Sequence, residues 1–555
     1  MPDASRRLLT RHTAWLSASA CIAAALPTIA STVRGLAAGA TPNGDRAIIA
    51  IRSYDVLTTH PPLVGQFSAA SVVAGHETHS LGPLLYWLLA VPARIGPPAL
   101  VVAMGALNSA AAIGSALLAR RRGGTALMIG VAIALALMSR SLPAETWHDI
   151  YNPSVGVLPL TLLLFLCWSV ACGEHRLLPA AVGVASFVAQ TELAFVLPAL
   201  GALAVGVAGL GRSRGWRRSG LAALAVALIC WSGPLVDQAV HRPGNIALVV
   251  KAGAASTPRL GVDAGWRAVV RAVGVPPRWL RIPQKPFDRL ADATTAPSAL
   301  AAISCALVLG ALALVTVLGV RRRSRPVAAA GAIGLVLSGA LAAVAAGTPT
   351  KPVLELSLNY TLWWGSPAGM WIWLVLGFSA AVLGRPRWPT APARLRALAP
   401  AVAAAAAVGV GTAVALAQKD DQDRPEYGPI RTLDARVAKA LPRPARTVRV
   451  AGPGAAVDFD FRAALMYDLR RRGIRPVAFG GATARLGTLY RARHGRRYPT
   501  VYVSVGPPPG RHGHVIARVP FRSSGATAVI ASFQDASGGR RRRAPGRFAV
   551  PDLGE

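Results

Sequence analysis

The stretch NGDRAIIAIRSYDVLTTHPPLVG, residues 43–65, sets two aspartates, two arginines and a histidine directly after a run of apolar residues. That run, Trp15 to about Val33, follows Arg6, Arg7 and Arg11 and has no small-residue cleavage site after a short core, so it reads as a retained first membrane span. The quoted stretch is then the first polar segment beyond the membrane. Within it AIIAIRSY predicts a short amphipathic helix, and His60, Pro61 and Pro62 a turn that ends it.

The pattern repeats along the chain. Of 555 residues 53% are hydrophobic and only 15% charged, where a soluble chain carries about 25% charged residues. Apolar runs at about 14–36, 97–119, 123–140, 154–172, 177–190, 191–210, 219–237, 295–319, 327–347, 366–384 and 397–417 predict eleven spans of a polytopic α-helical membrane protein. Arginine clusters at Arg120–Arg122, at Arg212, Arg214, Arg217 and Arg218, at Arg321–Arg323 with Arg325, and at Arg385, Arg387, Arg394 and Arg396 all fall on one side in this arrangement, the side of the N-terminus, which is therefore expected to be cytoplasmic. Residues 177–210 are expected to cross twice, breaking near Gln190, Thr191 and Glu192, where freed backbone must be covered or face a polar cavity. The outward segments are then 37–96, 141–153, 190–192, 238–294 and 348–365.

The net charge of +36 needs no nucleic acid, because loop arginines orient the spans and touch anionic lipid headgroups. The five cysteines lie in or beside apolar runs and read as small buried hydrophobes. Residues 1–417 are expected to form the membrane domain, and the charged stretch opening QKDDQDRPEYGP to be a linker over 418–440. Residues 441–555 should form a small extracytoplasmic α/β domain, with strands at TVRVAG, PVAF, TVYVSV, HVIARV and TAVIASF and a helix at FRAALMYDLRRRG. No glycine-rich nucleotide fingerprint follows its first strand.

The first loop closes with HSLGPLLYWLLAVPARI, too short to cross comfortably and expected to lie along the membrane surface. A first span, an early aspartate heading a short helix, and a later Gly-Pro pair before LLYWLL together resemble the GT-C superfamily of polyprenyl-phosphate-dependent glycosyltransferases. The likeness is to the protein mannosyltransferase, aminoarabinose transferase and related bacterial branches. It implies a GT-C-like fold and makes Asp45 the catalytic or substrate-orienting carboxylate. Many relatives carry a second acid directly after it, whereas Arg46 stands here and leaves the acceptor open. The resemblance continues in ETWHDIYNPSVGVLPL, matching Asp149, Asn152 and Pro153 with Glu145 competing as the second acid, and in VAQTELAFV and WSGPLVDQAVHRPGN.

The chemistry asks for such residues. An acceptor hydroxyl attacking C1 of a phosphate-linked sugar needs a carboxylate within about 2.6–3.2 Å, and cations or a metal for the departing phosphate. Asp45 is the candidate base or, alternatively, a helix N-cap. Asp149 orients the acceptor, shares the base role or helps Asp45 hold a divalent cation such as Mg or Mn, unless it is an ordinary loop acid. Arg46, Arg52 and His60 are candidates for the lipid phosphate, or simple headgroup contacts, and His148 is a donor or a solvated histidine. His76, Glu77 and His79 form a dense group able to hold a metal, although HETH lacks the third ligand and the HExxH spacing of a zincin. Glu192 and Asp237 are expected to line a cavity. Trp363 and Trp364, with Tyr360, form an interfacial belt or stack on the sugar.

The expected function is transfer of a sugar, with inversion, from a polyprenyl-phospho-sugar to an envelope glycan, glycolipid or protein on the outer face of a bacterial plasma membrane. The abundance of Ala, Gly, Arg and Pro resembles actinobacterial coding and suits a decaprenyl carrier. Two other classes stand beside it. A transporter or flippase would bury ionisable groups deep in its spans; a non-catalytic assembly protein would explain the missing second acid after Asp45.

Overall fold

In the computed structural model, which describes residues 3–211, 215–283, 294–384, 393–442, 446–454, 456–480, 485–508, 510, 513–523 and 525–536, the apolar runs are helices. Helix α1 (Asp3–Ala38) precedes α2 (Gly44–Asp55) and α3 (Leu84–Ile95). Helix α4 (Pro97–Ser139) has 43 residues, about 65 Å at 1.5 Å per residue and twice the hydrocarbon thickness of a bilayer. It is broken at Gly123 and Gly124, the latter at φ 69°, beside the arginines at 120–122. Two limbs result, at the positions where two spans were expected.

Eight further apolar helices follow: α5 (Val157–Ala171), α6 (Leu178–Thr191), α7 (Val196–Leu210), α8 (Trp216–Val240), and, after α9 (Asn245–Gly253) and α10 (Gly261–Val273), α11 (Ala299–Arg321), α12 (Arg325–Ala346) and, after α13 (Pro352–Thr361), α14 (Gly365–Leu383), with α15 (Ala393–Ala417) closing the series. Among the described residues nine helices are long and apolar enough to cross a membrane. All eleven expected segments are helical. The count differs because the kinked α4 is counted once and α6, with 14 residues, is short for a crossing. The chain is a multi-pass membrane protein. Arg212, Arg214, Arg385 and Arg387, and residues 284–293 of the expected outer segment, lie outside the described residues.

Contact within the chain divides it into two compact units, the first comprising Met1–Ala37, Leu63–Leu85 and Leu100–Asp421. Its helices approach closely where side chains are small. A Cβ at Gly105 of α4 would lie 2.1 Å from Thr32 Oγ1 of α1, and one at Gly209 of α7 2.7 Å from Ala171 of α5. Larger space is filled by edge-to-face aromatics: Trp371 meets Phe165 and Trp168 at centroid distances of 5.0 and 5.7 Å. Both indole N–H groups find carbonyls, Trp168 at Pro326 (2.8 Å) and Trp371 at Ala330 (3.1 Å), so no buried donor is wasted there.

The second unit comprises Ala38–Pro62, Tyr86–Ala99 and Gln422–Glu555. Its elements are α2, most of α3, α16 (Arg424–Ala440), β1 (Thr447–Ala451), α17 (Ala456–Arg471), β2 (Arg475–Val477), β3 (Thr500–Val505), β4 (His514–Ser523) and β5 (Ala526–Gln534). The sheet runs β2-β1-β3-β5-β4, parallel across β2, β1 and β3 and antiparallel across β3, β5 and β4. The five strands and the helix α17 stand where the alternating and 3.6-residue patterns put them.

Two boundaries differ from expectation. The stretch 418–440 is not a bare linker: Tyr427, Ile430, Leu433 and Val437 give α16 a buried stripe that packs on the sheet. The first polar segment does not stay with the membrane helices either, because α2 packs on α17 and buries Ala47, Ile48, Ile49, Ala50 and Ile51. Asp55, at its end, is bound by Arg470 (2.9 and 3.1 Å) and by Tyr490 Oη (2.7 Å). Helix α3 joins through Arg94, which donates to the carbonyls of Tyr54 and Leu57, and through Ala93, whose carbonyl accepts from Tyr467. The opposite side of α3 leaves Leu88, Val91 and Ile95 exposed.

Candidate active site

In the membrane unit the polar residues gather on the segment 141–152. Ser141 donates to Ser366 (2.9 Å), a 3-10 turn runs from Ala144 to Trp147, and Asn108 holds the Trp147 carbonyl at 3.0 Å. Pro153 then starts the short turn leading into α5. Glu145, His148, Asp149 and Asn152 are all buried. Four polar side chains removed from water within eight positions are costly unless each finds a partner.

His148 is neither solvated nor open to a substrate. Ser31 donates its single hydroxyl proton to the Ala144 carbonyl (2.7 Å), so it accepts from His148 Nδ1 at 2.8 Å. Nε2 faces Asp421 Oδ2 at 3.2 Å. The chain Ser31–His148–Asp421 thus ties α1 to the segment beyond α15, and Gly35 leaves room for the ring: a Cβ there would lie 2.6 Å from Nε2. Asp149, 7% exposed, accepts the Tyr151 N–H at 3.0 Å and forms an Asx turn. Its neighbour Tyr151 packs edge-on against Tyr360 (5.7 Å) and Trp363 (6.5 Å).

Asn152 donates to the Thr191 carbonyl and to the Glu192 carboxylate. Glu192 is the break between α6 and α7, extended at φ −151° and ψ 140°, and its other oxygen caps Leu193 N–H at 3.0 Å. Sequence motifs forty residues apart therefore meet. The oxygens of Asp237 accept from Asn245 N–H (2.7 Å) and face His241 Nδ1 (2.9 Å), closing the turn after α8. Trp363 and Trp364 are both buried, Trp364 completely, which places them in the packed interior rather than in an exposed belt. The buried Arg278, 2% exposed, donates to the Leu362 carbonyl beside them at 3.2 Å. No periodic pattern or motif marked Arg278 in the sequence, while Tyr151 and Asp421 stood inside ETWHDIYNPSVGVLPL and QKDDQDRPEYGP without being singled out.

In the second unit the remaining candidates sit around the start of α2. Asn43, not Asp45, is the N-cap residue. Asp45 lies in the first turn, where a carboxylate meets the helix dipole favourably, and pairs with Arg485 at 2.5 Å. Arg46 pairs with Asp423 (2.9 Å), Asn43 donates to Glu426 (2.8 Å), and Arg52 donates to the Leu486 carbonyl (3.0 Å). His60 is exposed, with only Thr59 beside its ring at 2.9 Å. Asp460 packs over Gly44, whose φ of 45° and missing Cβ make the space. Burial, reinforced by Glu426 and Asp423, pushes the Asp460 carboxyl up to about 8. Burial also raises Glu426.

Asp45 and Asp149, expected to share a divalent cation, fall in different units. Among the described residues no group of three or more His, Cys, Asp and Glu side chains is placed to hold a metal ion, and His76, Glu77 and His79 form none.

Compared by sequence, the chain matches no protein-family model and no curated protein. Compared by structure, it is similar to ArnT from Cupriavidus metallidurans, solved bound to undecaprenyl phosphate, with a TM-score of 0.51 and 13% identity, over 95% of this chain and 100% of that one. At that identity the likeness is one of fold, and it extends over membrane helices and sheet alike: the chain is a multi-pass membrane protein with a GT-C-like fold.

Proposed function

We propose that the protein transfers a sugar from a polyprenyl-phosphate carrier to an envelope glycan, glycolipid or protein on the outer face of a bacterial plasma membrane. One observation carries the reading: a buried carboxylate, Asp149, is fixed by an Asx turn on a loop lined by Tyr151, Tyr360 and Trp363, within a fold like that of an enzyme solved with undecaprenyl phosphate. In the reaction the acceptor hydroxyl attacks C1, its proton passes to the carboxylate, and the C1–O bond breaks with its electrons leaving on the lipid phosphate, inverting C1. Asp149 is the base in this reading. Arg278, buried and donating to the Leu362 carbonyl beside Trp363, is the cation proposed for the departing phosphate. Asp45, paired with Arg485, contributes to substrate binding within the second unit, and the exposed apolar side of α3 meets the membrane surface, keeping the tail outside and the N-terminus cytoplasmic.

The test is transfer of radiolabelled sugar from a panel of polyprenyl-phospho-sugars by the purified protein in lipid. Asp149→Asn is expected to lower turnover by roughly 10²–10⁴-fold, the span of a lost general base, with donor binding retained. Asp45→Asn is expected to raise the apparent KM more than it lowers kcat. Full activity in Asp149→Asn would remove Asp149 from the chemical step, and no transfer from any donor would defeat the reading.

A further inference from the structure

The second unit holds a cavity that the transfer reaction does not use. In the order β2-β1-β3, the chain leaves β1 for β2 on one side and returns to β3 on the other, and at such a switch point an α/β sheet leaves a crevice beyond the carboxyl ends of its strands. Here a cavity of ≈ 230 Å³ lies between that end of β1 and α17, lined by Arg449, Gly452, Phe459, Arg462, Met466 and Phe479 among others. Ligand pockets for drug-sized molecules run to roughly 300–1,000 Å³, so its occupant is compact.

The charged side chains lining this cavity are two arginines. Arg449 Nε is buried with no hydrogen-bond partner, and its guanidinium lies 5.4 Å over the Phe479 ring. Arg462 donates only to backbone carbonyls, those of Gly452 (3.2 Å) and Asp458 (3.3 Å). Asp458, behind Arg462, has its own carboxylate engaged by Val505 N–H at 2.6 Å. Among the described residues neither arginine has an ion-pair partner within 4.0 Å. Gly452 keeps the floor open, since a Cβ there would lie 2.2 Å from the Val503 carbonyl and 2.8 Å from Arg462 Cδ. Both arginines are half-buried, and a carboxylate, Asp458, acts on Arg462 alone and without ion-pair contact, so the two cations lose part of their hydration and regain only some of it. Burial accordingly pushes both guanidinium groups below their ordinary value.

The geometry points to a binding site for a compact organic oxyanion, a phosphate monoester or a carboxylate, whose charged group meets Arg449 and Arg462 while its body rests against Phe459, Met466 and Phe479. Arginine suits both acids, because its planar fork matches either oxyanion. The site does not depend on the transfer reading and is measured without turnover.

The full-length protein in detergent is titrated calorimetrically with phenyl phosphate and with benzoate, against benzyl alcohol and inorganic phosphate. Saturable binding of either aromatic anion, at least tenfold tighter than benzyl alcohol, is expected, and which of the two binds names the acid. Arg449→Met is expected to weaken it at least tenfold without lowering the melting temperature, and Arg493→Met, at an exposed position, to leave it unchanged. Should Arg449→Met not fold, dicarbonyl labelling of Arg449 in the unaltered protein, mapped by mass spectrometry, is expected to slow when the anion is present. No saturable binding, unchanged binding in Arg449→Met, or labelling at an unchanged rate would overturn the site. Inorganic phosphate binding as tightly as phenyl phosphate would overturn the organic body.

Discussion

Asp55 and Asp149 show what one carboxylate does in two settings. Asp55 is nearly inaccessible and accepts from Arg470 twice and from Tyr490 once, while Arg470 and Arg94 also lie over the Tyr54 ring at 4.9 and 4.4 Å. Its partners are all protein, so its role is to hold α2 to α17. Asp55→Ala is expected to destabilise the second unit by about 3–5 kcal/mol, because it strands a buried guanidinium. Asp55→Leu combined with Arg470→Met should recover much of the loss. Thermal unfolding of the detergent-solubilised variants checks this, and a single variant within about 1 kcal/mol of the parent would contradict the buried-pair account. Asp149 accepts a backbone N–H at 3.0 Å within its own turn, on the loop that carries Tyr151. Sequence reading singled out Asp45 and Asp149 together but missed Asp55, because nothing local distinguishes an acid that will meet an arginine 415 positions away.

At the scale of elements, the apolar runs were legible and their contacts were not. Twenty-residue stretches of Ala, Leu, Val and Gly have one low-energy form in lipid, a helix whose backbone satisfies itself. The break at Glu192 was also legible, as an acid in a run too long for one crossing. Which small residue faces which helix was not, since glycines recur on every side. Gly105 is such a choice: Gly105→Ala should destabilise the α1–α4 contact by about 1–3 kcal/mol, the usual cost of overpacking. Thr32→Ala in the same chain should relieve part of it, as the colliding hydroxyl is removed. Unfolding temperatures of the single and double variants decide, and identical shifts in both would mean the two helices do not meet there. Trp363 and Trp364 make the opposite point, because an aromatic pair near a span end looks the same whether it faces lipid or, as here, the interior.

For the whole molecule, the sheet unit is assembled from three separate stretches of chain. Residues 441–555 expressed alone are expected to be soluble only in part and protease-sensitive, since Ile48, Ile49 and Ile51 would no longer cover α17. A cooperative melt of that fragment at the parent temperature would refute the assembly. The same unit should lose stability as pH rises. Asp460 keeps its proton in the folded state up to about 8, and Asp434 is likewise raised by burial and by Asp468. Between about pH 4 and 8 the folded unit therefore binds more protons than the unfolded chain, so stability falls across that window. Asp460→Asn should flatten the slope and stabilise the protein near pH 8 by on the order of 1–3 kcal/mol; a slope unchanged from the parent would exclude Asp460 as its source. By itself the sequence determined the membrane class, the helical segments, the five strands and the candidate acids, because hydropathy, period and charge act over one to three turns of chain. Only the tertiary structure decided that the first polar segment completes the C-terminal sheet unit, that His148 is locked between Ser31 and Asp421, and that Asn152 meets Glu192. Those outcomes depend on burial and ion pairs between positions far apart in sequence, whose energy exists only once the chain has brought them together.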